Sequence, residues 1–454
     1  MFLKQEKFEL KKEESVLLVG TASENSIVTE IIRTLGLDGE KIRKKSSTCV
    51  DPLGKLAAEK VIFLNEDHLK DAEKRAKVFQ ALSDIESDIL VVLDAFSADL
   101  GELLGEGVTK ALYLFDEFKS DKKPEISVRY VGGSADSFEK GIVIGESVNF
   151  TRTLVNRPYN KLNAKKLGEI AKSFEEYDNV SVRVLGKKEI EALNMGAFLG
   201  VNMGSTDEPQ LIHVTYNGDT STDEQTALVG KGVMYDTGGY SLKGVQSMPT
   251  MKMDMGGAAT ALGAIKAVAR LGIKANVSAI VAATDNRIGD DAIVPDDILT
   301  AANGTTIEII STDAEGRLTL ADALWYAQEE GATRIIDMAT LTGAVVGALG
   351  TNIVGGFSNN DDFYNVFETT VKASGEKVWR LPIDPAHHKA IESPFADIKN
   401  SGGRAAGSSV AAAFLQKFVS DDVPWIHLDI AGTAFEKDKG GTGVMVKSLT
   451  KFFE

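Results

Sequence analysis

At 454 residues the chain exceeds the size at which one hydrophobic core stops growing, so two domains are the starting expectation. Hydrophobic residues at 43% and charged residues at 26% describe an ordinary globular protein, and a formal charge of −16 argues against the basic surface that nucleic acid requires. One cysteine, Cys49, excludes an internal disulfide and a cysteine-built zinc site, and it fits a reducing compartment. The opening MFLKQEKFELKKEES holds no apolar core of signal-peptide length and no run approaches a membrane span, so the expected location is the cytoplasm, with no membrane partner.

The first part alternates apolar runs with amphipathic stretches. Val16–Gly20, Val61–Leu64 and Ile89–Phe96 suit buried strands, and Ile126–Val131 alternates more clearly. Helical patterns cover about 25–35, 67–83 and 99–115. This rhythm predicts a small α/β domain with a largely parallel sheet over residues 1–136, serving as scaffold or in assembly. VLLVGTAS enters its helix without a Gly-x-Gly-x-x-Gly turn, so a dinucleotide site has little support.

Residues 137–160 read as a connecting helix stopped by Pro158, because the residue before a proline disfavours helix. The second domain is expected over 161–454, as a larger α/β unit with a mixed central sheet flanked by helices. Asn163 is a candidate N-cap. VSVRVLG, AFLGVNMGS, LIHVTYNG and TALVGKGV read as strands, the last running into Tyr235-Asp236. An acid just beyond a strand's C-terminal end sits where open α/β sheets hold ligands. Gly256–Leu271 is an alanine-rich helix, with Asp254 just ahead of its positive end. ANVSAIVAATDN is a buried strand, and a turn at Asn303-Gly304 leads into another. ADALWYAQEEG and the ATLTGA stretch continue the helix-strand rhythm. The glycine-rich NSGGRAAGSS and KGGTGV loops suit a helix start and a tight turn better than an anion cradle.

Two clusters of charge stand out. GKGVMYDTGGYSLKGVQSMPTMKMDMGGAA offers Lys231, Asp236, Lys243 and Asp254, and STDAEGRLTLADAL offers Asp313, Glu315 and Arg317. Asp313 and Glu315 would share one side of an extended segment, and Arg317 too if that geometry continued past Gly316. A lone Asp-x-Glu is ordinarily a solvated loop. Here the glycines beside both clusters let backbone approach a ligand closely. Converging carboxylates repel unless cations lie between them, and two divalent ions would serve, with Mg, Mn or carboxylate-bound Zn suiting the oxygen-rich donors. His68, His213, His387, His388 and His427 form no His-Glu-x-x-His pattern. His213 and His427 fit apolar strands as core residues, and His387-His388 fits a surface loop. No Gly-x-Ser-x-Gly elbow occurs either, so hydrolysis would rest on metal.

These motifs carry a resemblance. Ser311–Leu318 differs at one residue from Asn-Thr-Asp-Ala-Glu-Gly-Arg-Leu, the signature of the leucyl (cytosol) aminopeptidase family, and the Lys-Gly-Val, Asp, Gly-Gly, Ser-Leu-Lys and Lys-x-Asp-Met-Gly-Gly intervals upstream are kept. The resemblance covers roughly residues 150 to 454. It implies a dinuclear metal exopeptidase releasing leucine-like residues from peptides with a free N-terminus. One ion would take Asp236, Asp313 and Glu315, with the Asp313 main-chain carbonyl, and the other Lys231, Asp236, Asp254 and Glu315. The implied metals are Zn or Mn, with Mg or Co as alternatives. The resemblance further implies Lys243 as oxyanion donor, Arg317 with Gly316 and Leu341 around a proton-shuttling bicarbonate, and Met251, Thr340 and Gly343 along the first side-chain pocket. It also implies a homohexamer. Three departures stand in the motif: Ser311 for asparagine, Thr237 for serine and Tyr235 for phenylalanine. Competing readings are another dinuclear hydrolase, such as a phosphoesterase, and a non-catalytic assembly or DNA-binding regulator, the latter opposed by the charge of −16.

Overall fold

The computed structural model describes residues 1–6 and 15–454, so the opening stretch read above lies partly outside the described residues. The chain forms two compact units, residues 1–149 and 150–454, and the division falls inside the helix Ala135–Asn156, which ends before Pro158.

The first unit is built on a six-stranded sheet in the spatial order Phe2–Lys4, Val128–Val131, Asp88–Val92, Ser15–Val19, Lys60–Leu64, Ser47–Val50. All neighbours pair in parallel except the last two. Alternate residues of one strand feed two cores. Val16 and Leu18 pack with Val78, Leu104 and Phe138 on one face, while Leu17 and Val19 pack with Val28, Ile31 and Leu35 on the other. The Ile89–Phe96 run leaves the strand after Val92 and turns through a 3₁₀ segment, Leu93–Ala95. Beyond the ends of Ser15–Val19 and Asp88–Val92, the buried Glu66 carboxylate accepts from Thr21 N at 3.3 Å, Ala22 N at 3.2 Å, Ser97 N at 3.1 Å and Ser97 Oγ at 2.6 Å. The strand order reverses there, a crevice that open sheets commonly give to ligands. This chain fills those donors with its own side chain.

The second unit holds an eight-stranded mixed sheet, in the order Val378–Arg380, Val354–Ser358, Trp425–Asp429, Arg334–Ala339, Thr226–Asp236, Asn276–Asn286, Gln210–Asn217, Val180–Leu185. The four central strands run parallel and are nearly continuous in apolar residues, because helices cover both faces. On one face Leu228 and Val281 pack with Leu262, Ile265, Phe367 and Leu449. On the other, Val229 and Ile280 pack with Phe198, Leu324 and Phe414. Burying each such side chain contributes about 1.5–3 kcal/mol, so these two layers hold the central strands rigidly. Asn163 caps its helix as expected, accepting from Lys166 N at 3.1 Å.

The helix Gly256–Arg270 is glycine- and alanine-rich because it lies almost against the sheet. A Cβ on Gly257 would come within 2.0 Å of Met338 O, and one on Gly230 within 2.6 Å of the Ala258 Cα. Two expectations are corrected. AFLGVNMGS contains the helix Gly196–Asn202 rather than a strand, since Asp322 Oδ2 accepts Phe198 N at 2.8 Å near its start and Gly196 and Gly200 press against Thr300 and Leu299. His387 and His388 lie on the short helix Pro385–Ala390, which Asp384 caps and Pro385 begins, rather than in a loop. Among the described residues, no helix is long and apolar enough to cross a membrane.

Candidate metal centre

The strand Thr226–Asp236 lies where the strand order reverses: its successor in sequence is its neighbour on one side, and Arg334–Ala339 is its neighbour on the other. The crevice outside the carboxyl ends at such a point is the usual ligand site of an open sheet. Asp236 ends this strand, Asn286 ends the next, Thr340 follows Arg334–Ala339, and Asp429 ends Trp425–Asp429. The 3₁₀ turn Met251–Met255 delivers Asp254, and the turn before the helix Gly316–Glu329 delivers Asp313 and Glu315.

Both sequence clusters therefore meet. Oxygens of Asp236, Asp313 and Glu315 lie within 4.8 Å of one another. Lys231 Nζ stands 2.7 Å from Asp254 Oδ2, 2.8 Å from Glu315 Oε1 and 3.1 Å from Thr340 O. Lys243 Nζ stands 2.7 Å from Asp236 Oδ2 and 2.6 Å from Asp313 Oδ1. The two ammonium groups are the cations nearest to these acids. Burial alone would lower the pKa of each, but Asp254, Glu315 and Asp236 outweigh it at Lys231, and Asp236 and Glu315 do so at Lys243, so both are held above the usual lysine value. Burial, then the Asp236 charge, pushes Glu315 up to about 8 against the pull of Lys231. Burial pushes Asp254 up to about 6, again opposed by Lys231, and raises Asp313.

Burial is the first cause of those raised values, so added positive charge would favour the ionised carboxylates. Glu315 Oε2 is buried and accepts no hydrogen bond from the protein. A donor set of carboxylate oxygens and one amine, with a buried carboxylate oxygen that accepts no hydrogen bond at its centre, fits divalent cations. Gly316 lets the lysine lie close, because a Cβ there would fall 2.5 Å from the Lys231 Cε and 2.6 Å from Nζ and force it to shift. Gly238 and Gly239 take φ of +84° and +60°, and a Cβ on Gly238 would fall 2.8 Å from Asp313 Oδ1.

The Asp313-Ala314-Glu315 segment is a turn, not the extended run expected. Ala314 N donates to Ser311 O at 3.2 Å and Glu315 already has helical φ and ψ. Arg317 lies in the first turn of the buried helix, its Nη1 donating to Asn400 O at 2.8 Å and its Nε without a hydrogen-bond partner. Burial brings its pKa down to about 10 against the pull of Glu315 and Asp429, so an anion beside it would be welcome. Leu341 N donates to Asp429 Oδ1 at 3.2 Å. Thr340 supports the acids rather than standing free: its Oγ1 donates to Asp254 Oδ1 at 2.7 Å. Met251 opens the turn that carries Asp254, and exposed Gly343 opens the helix Gly343–Leu349.

The departures from the family pattern find local partners. Ser311 Oγ accepts Asp313 N at 3.3 Å, Thr237 Oγ1 donates to Asn286 O at 2.8 Å, and Tyr235 Oη donates to Met248 O at 3.2 Å. Sequence reading missed Asn286, whose Nδ2 donates to Asp236 Oδ1 at 2.8 Å and Thr312 O at 2.9 Å. It also missed Thr312, whose Oγ1 joins Gly238 O to Ser241 N. The strand pattern alone does not reveal Asn286, because a register shift after Thr284 is what brings it opposite Asp236. His213 is satisfied by Arg183 and Thr215, whereas His427 binds Asp337 through Nδ1 at 2.6 Å and has no partner at Nε2.

Residues 149–450 match the family model described as "Cytosol aminopeptidase family, catalytic domain". The chain is 44% identical over 419 residues to a probable cytosol aminopeptidase of Treponema denticola, covering 87% of this chain and 88% of that one. Among solved structures, a mutant of tomato leucine aminopeptidase superposes with a TM-score of 0.85 at 30% identity, covering 99% of this chain and 95% of that chain.

Proposed function

This chain belongs to the cytosol aminopeptidase family and is a metal-dependent aminopeptidase, and we propose that Lys231, Asp236, Asp254, Asp313 and Glu315 hold its metals. The reading assigns Asp236, Asp313 and Glu315 to one divalent ion and Lys231, Asp236, Asp254 and Glu315 to the other, so that Asp236 and Glu315 are shared. What carries it is the buried Glu315 carboxylate with an unpartnered Oε2, close to Asp236 and Asp313. A bound pair of divalent cations supplies a water acidic enough to attack near neutral pH and polarises the scissile carbonyl.

The chain's own groups then divide the work. Lys231 would hold metal as a neutral amine, which requires its buried ammonium to give up a proton. Lys243 keeps its charge and turns from Asp236 and Asp313 towards the oxygen that becomes negative in the tetrahedral transition state. Arg317, with Gly316 and Leu341, holds an anion such as bicarbonate that accepts the water's proton, a role supported by its buried Nε, which has no hydrogen-bond partner. Bound ions would supply the contact for the substrate's unblocked α-amino group that confines cleavage to the N-terminus, and Met251, Thr340 and Gly343 would border an apolar pocket for a leucine-like side chain.

Zn or Mn is the proposed metal, with Mg or Co as substitutes, and the cytoplasm is the proposed location. The first unit, residues 1–136 in this reading, joins the catalytic unit over 161–454 through the helical link at 137–160 and serves assembly into a homohexamer. The test is release of p-nitroaniline from leucine-p-nitroanilide, abolished by chelator and restored by Zn or Mn. Turnover that survives complete metal removal, or equal turnover of the N-acetylated substrate, would overturn it.

A further inference from the structure

Asn400 is fully buried, 83 residues away in sequence from Arg317, and follows the two-residue strand Ile398–Lys399 that pairs with Thr306–Glu308. Its side chain brackets the turn that carries Asp313 and Glu315. Oδ1 accepts from Ile310 N at 2.8 Å and Ser311 N at 3.3 Å, while Nδ2 donates to Ser311 O at 2.7 Å and, more weakly, to Ala314 O at 3.4 Å. Its own carbonyl accepts Arg317 Nη1, and its amide donates to Glu308 O at 2.9 Å. One residue thus touches the chain before Asp313, the residue between Asp313 and Glu315, and the guanidinium of Arg317.

An asparagine is the side chain this place demands. The turn presents two N–H groups and two carbonyls, and only a carboxamide offers an acceptor and a paired donor in one plane. An isosteric aspartate would keep the accepting half and set a second oxygen against the Ser311 and Ala314 carbonyls. Buried groups stranded in that way cost the turn its position.

We infer that Asn400 is a positioning residue of the metal centre, setting the two carboxylates of the Asp313–Glu315 turn and Arg317 as one rigid body. The inference rests on the ligand assignment above. Partners behind metal ligands commonly change metal affinity by about 10–100-fold when lost. Asn276, only partly buried, supplies a control with a similar hydrogen-bond bracket. Its Oδ1 accepts Asp219 N at 3.0 Å and its Nδ2 donates to the Asp219, Thr222 and Glu224 carbonyls at 2.8, 3.1 and 3.3 Å, the same bracket at the opposite end of the sheet.

The experiment compares Asn400→Asp, Asn400→Ala and Asn276→Ala in the full chain. Calorimetric titration of the metal-free proteins with Zn or Mn measures affinity, metal-free melting measures stability, and saturating-metal kinetics separates kcat from KM. Both Asn400 variants are expected to bind metal at least tenfold more weakly and, when saturated, to lose kcat with KM little changed. Asn276→Ala should lower the melting temperature and leave metal affinity unchanged. Affinities within twofold of the parent in both folded Asn400 variants would overturn this inference alone. So would unfolding of both while Asn276→Ala folds, because Asn400 would then belong to the fold at large. Full metal content in Asp254→Ala and Glu315→Ala would overturn the ligand assignment and this inference with it.

Discussion

Lys231 Nζ lies 2.8 Å from Glu315 Oε1, with both side chains almost wholly buried, so the best-shielded ion pair of the site is made by two residues assigned to the same metal. The pair holds the two groups in register before metal arrives. On the ligand assignment above, metal would displace the proton of Lys231, and the Oε2 of Glu315, which accepts no hydrogen bond, would help draw it in. On that assignment Glu315→Ala removes one of the two carboxylates shared by both ions, Asp236 being the other, while Asp254→Ala removes one that serves a single ion. Both variants are expected to lose measurable hydrolysis of leucine-p-nitroanilide, with Glu315→Ala retaining less metal by elemental analysis. Two metals per chain in either variant would contradict the assignment.

Gly316→Ala tests the close packing behind the same lysine. The added Cβ would sit 2.6 Å from Nζ, and Lys231 cannot easily retreat, because Asp254, Glu315 and Thr340 O hold it on its other sides. Displacement by even one ångström should show as about tenfold or greater loss of metal affinity, the scale seen when groups around a ligand are disturbed. The overall melting temperature should fall by only a few degrees. A variant with unchanged metal titration would mean that Lys231 is freer than this geometry allows.

The charged half of the site was legible because its residues are local. Lys231 to Asp254 and Asp313 to Arg317 form two short runs, and strand ends and glycines announce where they must sit. The supporting half was not. Asn400 and Asp429 reach Ser311 and Leu341 across 89 and 88 residues, and neither stands in a local pattern that marks a contact. The helix Gly196–Asn202 was misread for a related reason. Its apolar content suits a strand, and what selects the helix is the Asp322 carboxylate, 124 residues on, receiving Phe198 N. Likewise the extended reading of Asp313–Glu315 failed because Asn400 and Ser311 fold that segment into a turn.

His213 gives a pH prediction removed from the metals. Burial, helped by the Arg183 charge and opposed by Glu330, brings its pKa down to about 4 from the usual histidine value of 6.5. Its Nδ1 accepts Arg183 Nη2 at 2.8 Å, which requires the neutral ring. The unfolded chain therefore binds a proton that the native chain refuses between about pH 6.5 and 4. The stability tied to the neutral ring is present above pH 6.5 and is lost as the pH falls towards 4, on the order of 3 kcal/mol in full. His213→Gln removes this titration. Its metal-free melting temperature should fall less steeply than the parent's between pH 6.5 and 4.5, and an identical slope would show that His213 is not the group responsible.

Lys243 and Lys231 look alike in sequence and in their acidic surroundings, yet they are assigned opposite tasks. Lys231 is sealed in, touching Asp254, Glu315 and the Thr340 carbonyl, whereas the Lys243 side chain is 15% exposed and pairs with Asp313, itself 38% exposed. The second lysine is thus the more accessible of the two. It sits on the loop after Gly238-Gly239, anchored through its own amide to Thr237 O at 2.9 Å, so its side chain can swing without moving the strand. Lys243→Ala should therefore keep both metals and lose activity mainly in kcat, by about 10²–10³-fold, the usual cost of one oxyanion donor. Arg317→Ala should lose less, because added bicarbonate or water can partly replace a held anion, and its rate should respond less to bicarbonate than the parent's. Lys231→Ala should instead show its defect in metal content before any kinetics are measured. Metal analysis and steady-state rates on the three variants separate these roles. An emptied Lys243→Ala beside a fully loaded Lys231→Ala would reverse the assignment of the two lysines.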